Sequence, residues 1–307
     1  MALDETLLPA LLDQGLLIDT GVPGLYCRGA IFEDLLQRFD AFAGRALAAE
    51  SPEVVRFPPV MPRRTLERSG YLKSFPHLAG TVFTYTGDEQ GHADLLSRVE
   101  AGADWSSSQS MTEVVLVPAA CYPVYPAVAA AGTLPPGGRT LEVASYCFRH
   151  EPSADPARMQ SFRMHELVRI GEPSVVDAWR RSWITRGLEL LGQLGLSVAE
   201  APANDPFFGR GGRLLATNQR AAELKFELLA PIAQSAEGTA IMSVNYHQDH
   251  FGTIYGIQTA DGEVAHSACL GFGLERVTLA LLVRHGLEPA RWPDEVRHAL
   301  WESEATR

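Results

Sequence analysis

Lysine is nearly missing from this 307-residue chain: of its 26 basic side chains only Lys73 and Lys225 are lysines, and the rest are arginines. Any chemistry that needs a lysine amine is confined to those two positions. Cysteine is scarce as well. Cys27, Cys121, Cys147 and Cys269 lie far apart, with no CxxC pair and no dense disulfide pattern. No apolar run approaches ~18 residues, and the first residues carry acids where a leader would carry bases. A soluble, reduced, cytoplasmic protein without a membrane partner is expected. Glycine-rich phosphate cradles are absent too. There is no GxxxxGK[ST] and no GxGxxG, since Gly271-Phe272-Gly273 runs on into Leu274-Glu275-Arg276, and the G-x-S-x-G elbow is missing. Positive charge is in deficit, at 26 bases against 37 acids and a net −11. A surface that grips nucleic acid along its whole length is disfavoured, because counterion release needs a positive face. A nucleotide bound here would have to be held by arginines.

What is present reads as one globular domain over residues 1–307, with 46% hydrophobic and 21% charged side chains. Ile31, Leu35, Leu36, Phe39, Phe42 and Leu47 recur at helical spacing, which predicts a helix from Ile31 to Glu50. Ser174–Leu194 predicts a second long helix, Gly271–His285 a third and Arg291–Trp301 a last one. Val54–Pro62, broken by prolines, reads as an edge strand. Strands are expected at Thr81–Thr86, Thr112–Val117, Leu141–Arg149, His165–Ile170, Phe226–Leu229, Ala240–Tyr246 and Thr253–Thr259. Strands in succession with few helices between them argue an α+β protein with an antiparallel sheet flanked by helices.

Two segments carry paired chemical signals. Phe148-Arg149-His150-Glu151, a loop with Arg158, then Phe162 and the His165 strand read as a hairpin. Arg149 and Glu151, two apart, can share a face. The guanidinium offers a planar fork to a phosphate, the glutamate can accept from an exocyclic amine, and Phe162 can stack on a base. In the second, the glycines of Gly271-Phe272-Gly273 precede a helix whose first turn carries Arg276. His247 and His250 have HxxH spacing, but on a strand side chains three apart face opposite ways, which speaks against a shared metal.

These residues resemble the class II aminoacyl-tRNA synthetases. Arg149, Glu151, Arg158 and Phe162 match that family's second motif and Gly271–Arg276 its third. Phe57–Pro62 after the Ile31 helix matches the first, which in the family builds a dimer interface. Glu227-Leu228-Leu229-Ala230-Pro231 and Ser243-Val244-Asn245 resemble the seryl-type catalytic domain. The resemblance covers roughly residues 25–285 and implies the class II antiparallel fold and a homodimer. It implies that Arg149 and Arg276 are catalytic, Arg149 on the α-phosphate of ATP. Glu151 would hold the adenine amine, Phe162 and Arg276 would sandwich the base, and Arg158 would meet the terminal phosphates. Glu227 or Ser243 would help hold Mg²⁺. Glu113 and Asn245 fall where the amino acid binds, although Met111 stands where that family carries threonine in the amine-binding loop. Thr239 and Ala240 occupy the place of a glutamate.

Within that frame Cys121, Glu166 and Cys269 should converge on the amino-acid pocket. Two thiolates and a carboxylate leave a zinc ion one open position, which a free α-amine could fill. The set resembles atypical, zinc-dependent seryl-tRNA synthetases of methanogens and their short bacterial relatives, the amino acid:[carrier protein] ligases. Cys27 and Cys147 are expected in the core. Only about 30 residues precede the Ile31 helix, with no heptad pair for a tRNA-gripping arm. Together with the charge of −11, that argues against tRNA as acceptor. The resemblance instead implies transfer of glycine or alanine to the phosphopantetheine thiol of an acidic carrier protein. Residues 202–225 resemble a family-specific insertion where the carrier could dock. From Phe207 to Lys225, Arg210, Arg213, Arg220 and Lys225 face only Glu223, four positive charges against one. A tRNA-charging or tRNA-editing relative would need a basic surface, and a non-catalytic paralogue would have no use for a full ATP set.

Overall fold

The computed structural model describes residues 7–209, 217, 219, 220, 222–232 and 238–301. Its centre is a seven-stranded sheet of β3 (Glu53–Val55), β7 (Arg139–Phe148), β8 (Ser161–Gly171), β12 (His266–Gly273), β11 (Thr239–Gln248), β10 (Lys225–Ala230) and β9 (Ala199–Pro202), in that spatial order. All neighbours are antiparallel except β3 with β7. A hairpin of β1 (Leu17–Val22) and β2 (Leu25–Arg28) and a small sheet of β4 (Val60–Pro62), β6 (Gln109–Leu116) and β5 (Thr81–Tyr85) flank it.

Alternation along the strands sets what each face does. Leu167, Leu270, Val244 and Leu228 point to one side, where they pack under the Ala30–Leu47, Pro173–Gly192 and Leu274–His285 helices. Phe39, fully buried on the first of these helices, meets Phe272 edge-to-face at 5.6 Å between ring centroids. Removing a ring of this kind costs on the order of 3–5 kcal/mol. The intervening residues Glu166, Val168 and Cys269 face the other side, over a second core that includes Val143, Cys147 and Tyr125. One face is thus spent on the helices, and the other is free to carry chemistry.

The expected long helices and most expected strands are found, the Ile31 helix at Ala30–Leu47 and the hairpin over ten paired residues from Arg139–Ile170 to Phe148–Ser161. Thr253–Thr259 is a correction. Its β-branched residues suggested a strand, but His250–Tyr255 is helical and ends at Gly256 with φ +73. Phe251 stacks on Tyr125 at 3.7 Å and Tyr255 is buried one turn on, so packing overrides propensity. Gly271–Gly273 closes β12 rather than opening a helix, which begins at Leu274. Cys147 is buried as expected, but Cys27 is exposed, on the outward side of the β1–β2 hairpin.

Candidate active site

The chemical face of the sheet floors a cavity of about 600 Å³. Register builds that floor. Glu166 lies opposite Gly271, Gly271 opposite Ser243, and Ser243 opposite Glu227, forming one row across four strands. A parallel row runs Cys269, Asn245, Lys225. Gly271 leaves room in the first row, since a Cβ there would sit 3.1 Å from the Glu166 Cγ and crowd that side chain.

At one end the cavity is cationic. Arg149, at the tip of the β7–β8 hairpin, is fixed by a hydrogen bond from Nε to the Pro118 carbonyl at 3.0 Å, and its guanidinium lies 5.4 Å above the Phe162 ring. Arg276 is fixed in turn to the carbonyls of Ala157 at 2.8 Å and Ala240 at 3.1 Å. Burial and the field of Arg149 hold Arg276 below its ordinary range. Two anchored guanidiniums whose like charges are brought to one end of the cavity form a place for an anion. Glu151 lines the same end, while Arg158 does not line the cavity: its side chain is 58% exposed, 3.8 Å from Glu151. Behind them, buried Glu275 accepts from Arg28 Nη2 at 3.0 Å, Arg163 Nε at 3.1 Å and the Arg163 backbone N–H at 2.7 Å. This ties the start of the Arg276 helix to the hairpin.

At the other end Cys121, Glu166 and Cys269 are buried with their ligand atoms within 4.8 Å of one another. The turn carrying Cys121 is held by the Ala120 N–H, which donates to Glu166 Oε1 at 2.8 Å. Burial and the neighbouring Cys269 charge push Glu166 up to about 8. The hydrogen bond between the sulfurs favours thiolate at Cys269, helped by His247, and pushes the Cys121 thiol up. Burial and the Cys269 charge keep protons on Glu166 and Cys121, and a divalent metal would take the place of those protons. The donor set therefore fits a metal ion. His247 Nε2 and Asn245 Nδ2 both lie 3.6 Å from Cys269 Sγ. His247 also meets Ser267 Oγ at 3.1 Å and Tyr125 OH at 3.3 Å, whereas His250 bonds the Ser69 carbonyl at 3.1 Å, so the two histidines serve different partners.

No protein-family profile matches the chain. Two curated proteins of Bradyrhizobium diazoefficiens do: amino acid–[acyl-carrier-protein] ligase 2, 47% identical over 94% of this chain and 86% of the relative, and ligase 1, 47% identical over 91% and 86%. The chain belongs to the amino acid–[acyl-carrier-protein] ligase family. More distantly, the ligase is 26% identical to the type-2 serine–tRNA ligase of Methanopyrus kandleri over 80% of its own length and 50% of that protein. In solved structures it resembles the M. kandleri seryl-tRNA synthetase bound to A. aeolicus tRNASec, with TM-score 0.81 and 19% identity over 99% of this chain and 61% of the other. It also resembles the Pyrococcus horikoshii enzyme complexed with ATP, with TM-score 0.68 and 16% identity over 93% and 60%. These likenesses establish the class II synthetase fold.

Not every expected site residue of the ligase reaches the cavity. Glu113 is 85% exposed on β6 and pairs with Arg63 at 3.1 Å, so it does not line the pocket. Phe162, Ser243, Asn245, Glu227 and Arg276 all do. Arg210 and Arg213 lie outside the described residues, and Arg220 is exposed and bonds Asn204 Oδ1 at 2.8 Å. Lys225 is a correction: it is buried in the cavity wall rather than on the insertion's surface. That leaves three arginines against Glu223 between Phe207 and Leu224. Sequence reasoning also missed Asp205 and Glu275, the latter signalled only by its place beside Arg276, and weighed His247 only as a metal partner of His250.

Proposed function

We infer that this ligase activates a small amino acid, glycine or alanine, with ATP and passes it to the phosphopantetheine thiol of a carrier protein. The observation that carries the reading is one cavity that joins an anchored arginine pair to a buried Cys-Glu-Cys cluster. The arginine end suits the triphosphate, with Glu151 and Phe162 available to the adenine. The cluster, loaded with zinc, would supply a Lewis-acid site for the α-amine. Cys121, Glu166 and Cys269 would hold that zinc. Tyr122, Met164 and Asn245 line the cavity beside it, and their bulk favours a short substrate side chain. Mg²⁺ would arrive with the nucleotide, faced by Ser243 on β11, since Glu227 is already paired with Lys225 at 3.0 Å.

The substrate carboxylate oxygen attacks the α-phosphorus and pyrophosphate leaves. Arg149 and Arg276 stabilise the charge that builds on the phosphate oxygens, so the protein's part is positioning and electrostatics. The carrier thiol, on losing its proton, then attacks the adenylate carbonyl and AMP leaves with the broken C–O bond's electrons. No protein nucleophile is needed. The chain's net −11 disfavours tRNA as acceptor. A homodimer is what the resemblance of Phe57–Pro62, after the Ala30–Leu47 helix, to the class II interface motif implies. Among the described residues no helix is long and apolar enough to cross a membrane.

The test is ATP–pyrophosphate exchange across the amino acids, with and without a zinc chelator, followed by loading of holo carrier against tRNA. Exchange confined to glycine or alanine, lost on chelation, with thioester on the carrier, is the expected result. Exchange with no amino acid would overturn the reading.

A further inference from the structure

Both lysines of this lysine-poor chain line the same cavity. Lys73 lies exposed at the mouth, but Lys225 is buried, 9% exposed, at the base of β10. Its ammonium sits 2.6 Å from Asp205 Oδ1 and 3.0 Å from Glu227 Oε1. Two carboxylates from different segments thus converge on one point, the geometry in which a divalent cation is often held, and the protein places its own cation there. Asp205 is held from every side: its N–H donates to Gln219 Oε1 at 2.7 Å, and Gln219 Nε2 donates back to Oδ2 at 2.8 Å. The same stretch is pinned at Ala203, whose N–H donates to the Lys225 carbonyl at 2.9 Å, and at Phe207, which stacks on Phe75 at 5.2 Å.

We propose that Lys225 is a built-in counter-cation of the nucleotide end of the cavity. It offsets one of the two negative charges of the Asp205–Glu227 pair, which weakens the pair's repulsion of the triphosphate and fills the point where a free divalent ion would sit. Lys225 is a positioning residue, since it acts through the two carboxylates. The inference rests on reading this end as an ATP site, and a metal-binding measurement without nucleotide separates the two.

Lys225→Met is expected to raise KM for ATP about tenfold, with kcat within about threefold of wild type, because one uncompensated negative charge is added beside the phosphates. Without ATP, the same variant should bind Mn²⁺, detected by loss of the free-ion EPR signal, at a stoichiometry one site above wild type. Asp205→Asn carries the opposite charge change and is expected to leave ATP KM unchanged or lower it. In Lys225→Met/Asp205→Asn, balance returns, with KM within about threefold of wild type and no extra Mn²⁺ site. Should Lys225→Met alone fail to fold, the Asp205→Asn single variant still decides. A tenfold rise in its ATP KM would overturn the proposal, as would an extra Mn²⁺ site already present in wild type. Failure of Asp205→Asn to rescue a folded Lys225→Met would do the same. A wild-type protein that never uses ATP would defeat the ATP reading but leave the Mn²⁺ arm intact.

Discussion

The two ends of the cavity solve one electrostatic problem in opposite ways. Cys121, Glu166 and Cys269 bring three acids together with no cation of their own, and Glu166 is driven up to about 8. Asp205 and Glu227 bring two acids together around Lys225. The first cluster is left dependent on something from outside, which is what a ligand site requires, and the second is closed. A third cluster, on the helix-covered face, also carries its own cation. His165, 4% exposed, reaches Asp40 Oδ1 at 2.6 Å and Glu142 Oε1 at 3.3 Å. Of these three clusters, two carry a cation of their own, and the one without is the set of metal-type donors.

The comparison breaks most sharply at the open cluster. Cys269→Ala should reduce amino-acid activation at least about a hundredfold and remove bound zinc, while leaving the melting temperature close to wild type. Wild-type exchange rates in that variant would show that the cluster needs no external ion. A smaller effect tests its support. Asn245→Ala removes a donor to Cys269 Sγ and should weaken zinc affinity about tenfold, measured by chelator competition, with ATP KM unmoved.

The histidine cluster sharpens the contrast through pH. Burial alone would lower the His165 pKa, but Asp40 and Glu142 outweigh it and raise it to about 9. Its stabilising charge is fully present below about pH 6.5 and is lost as pH climbs through 9, worth on the order of 3 kcal/mol. Thermal melts from pH 6 to 10 should fall across that window in wild type and flatten in His165→Asn. A parallel fall in both proteins would assign the loss elsewhere. The smallest effect lies outside all three clusters. Arg220→Glu should raise KM for the carrier about threefold and more so at low salt, without touching pyrophosphate exchange.

Much of the fold was legible because helices here follow their apolar spacing, as along Leu35, Phe39 and Leu47, and hairpin strands their alternation. The Thr253–Thr259 segment was not, since a six-residue helix has no periodicity to read and is held by Phe251 on Tyr125. Arginine positions in the nucleotide end were legible through short motifs. The cysteine cluster spans residues 121 to 269, and only the family resemblance, not spacing, suggested it. Asp205 and Lys225 stayed hidden for a different reason. Composition alone assigned Lys225 to an exposed basic surface, whereas a partner 20 positions away turns it inward.

The register of the central sheet has a consequence for how such a protein can drift. Val244 and Leu270 are buried against the helices by the same strand pairing that lines up Asn245 with Cys269. Slipping β11 by one residue would send its core side chains into the cavity and its reactive ones into the helices. The chain therefore cannot misplace these site residues and still fold well. Selection for a sound core preserves their alignment unasked, and that leaves the loops and the insertion as the parts free to explore new substrates and partners.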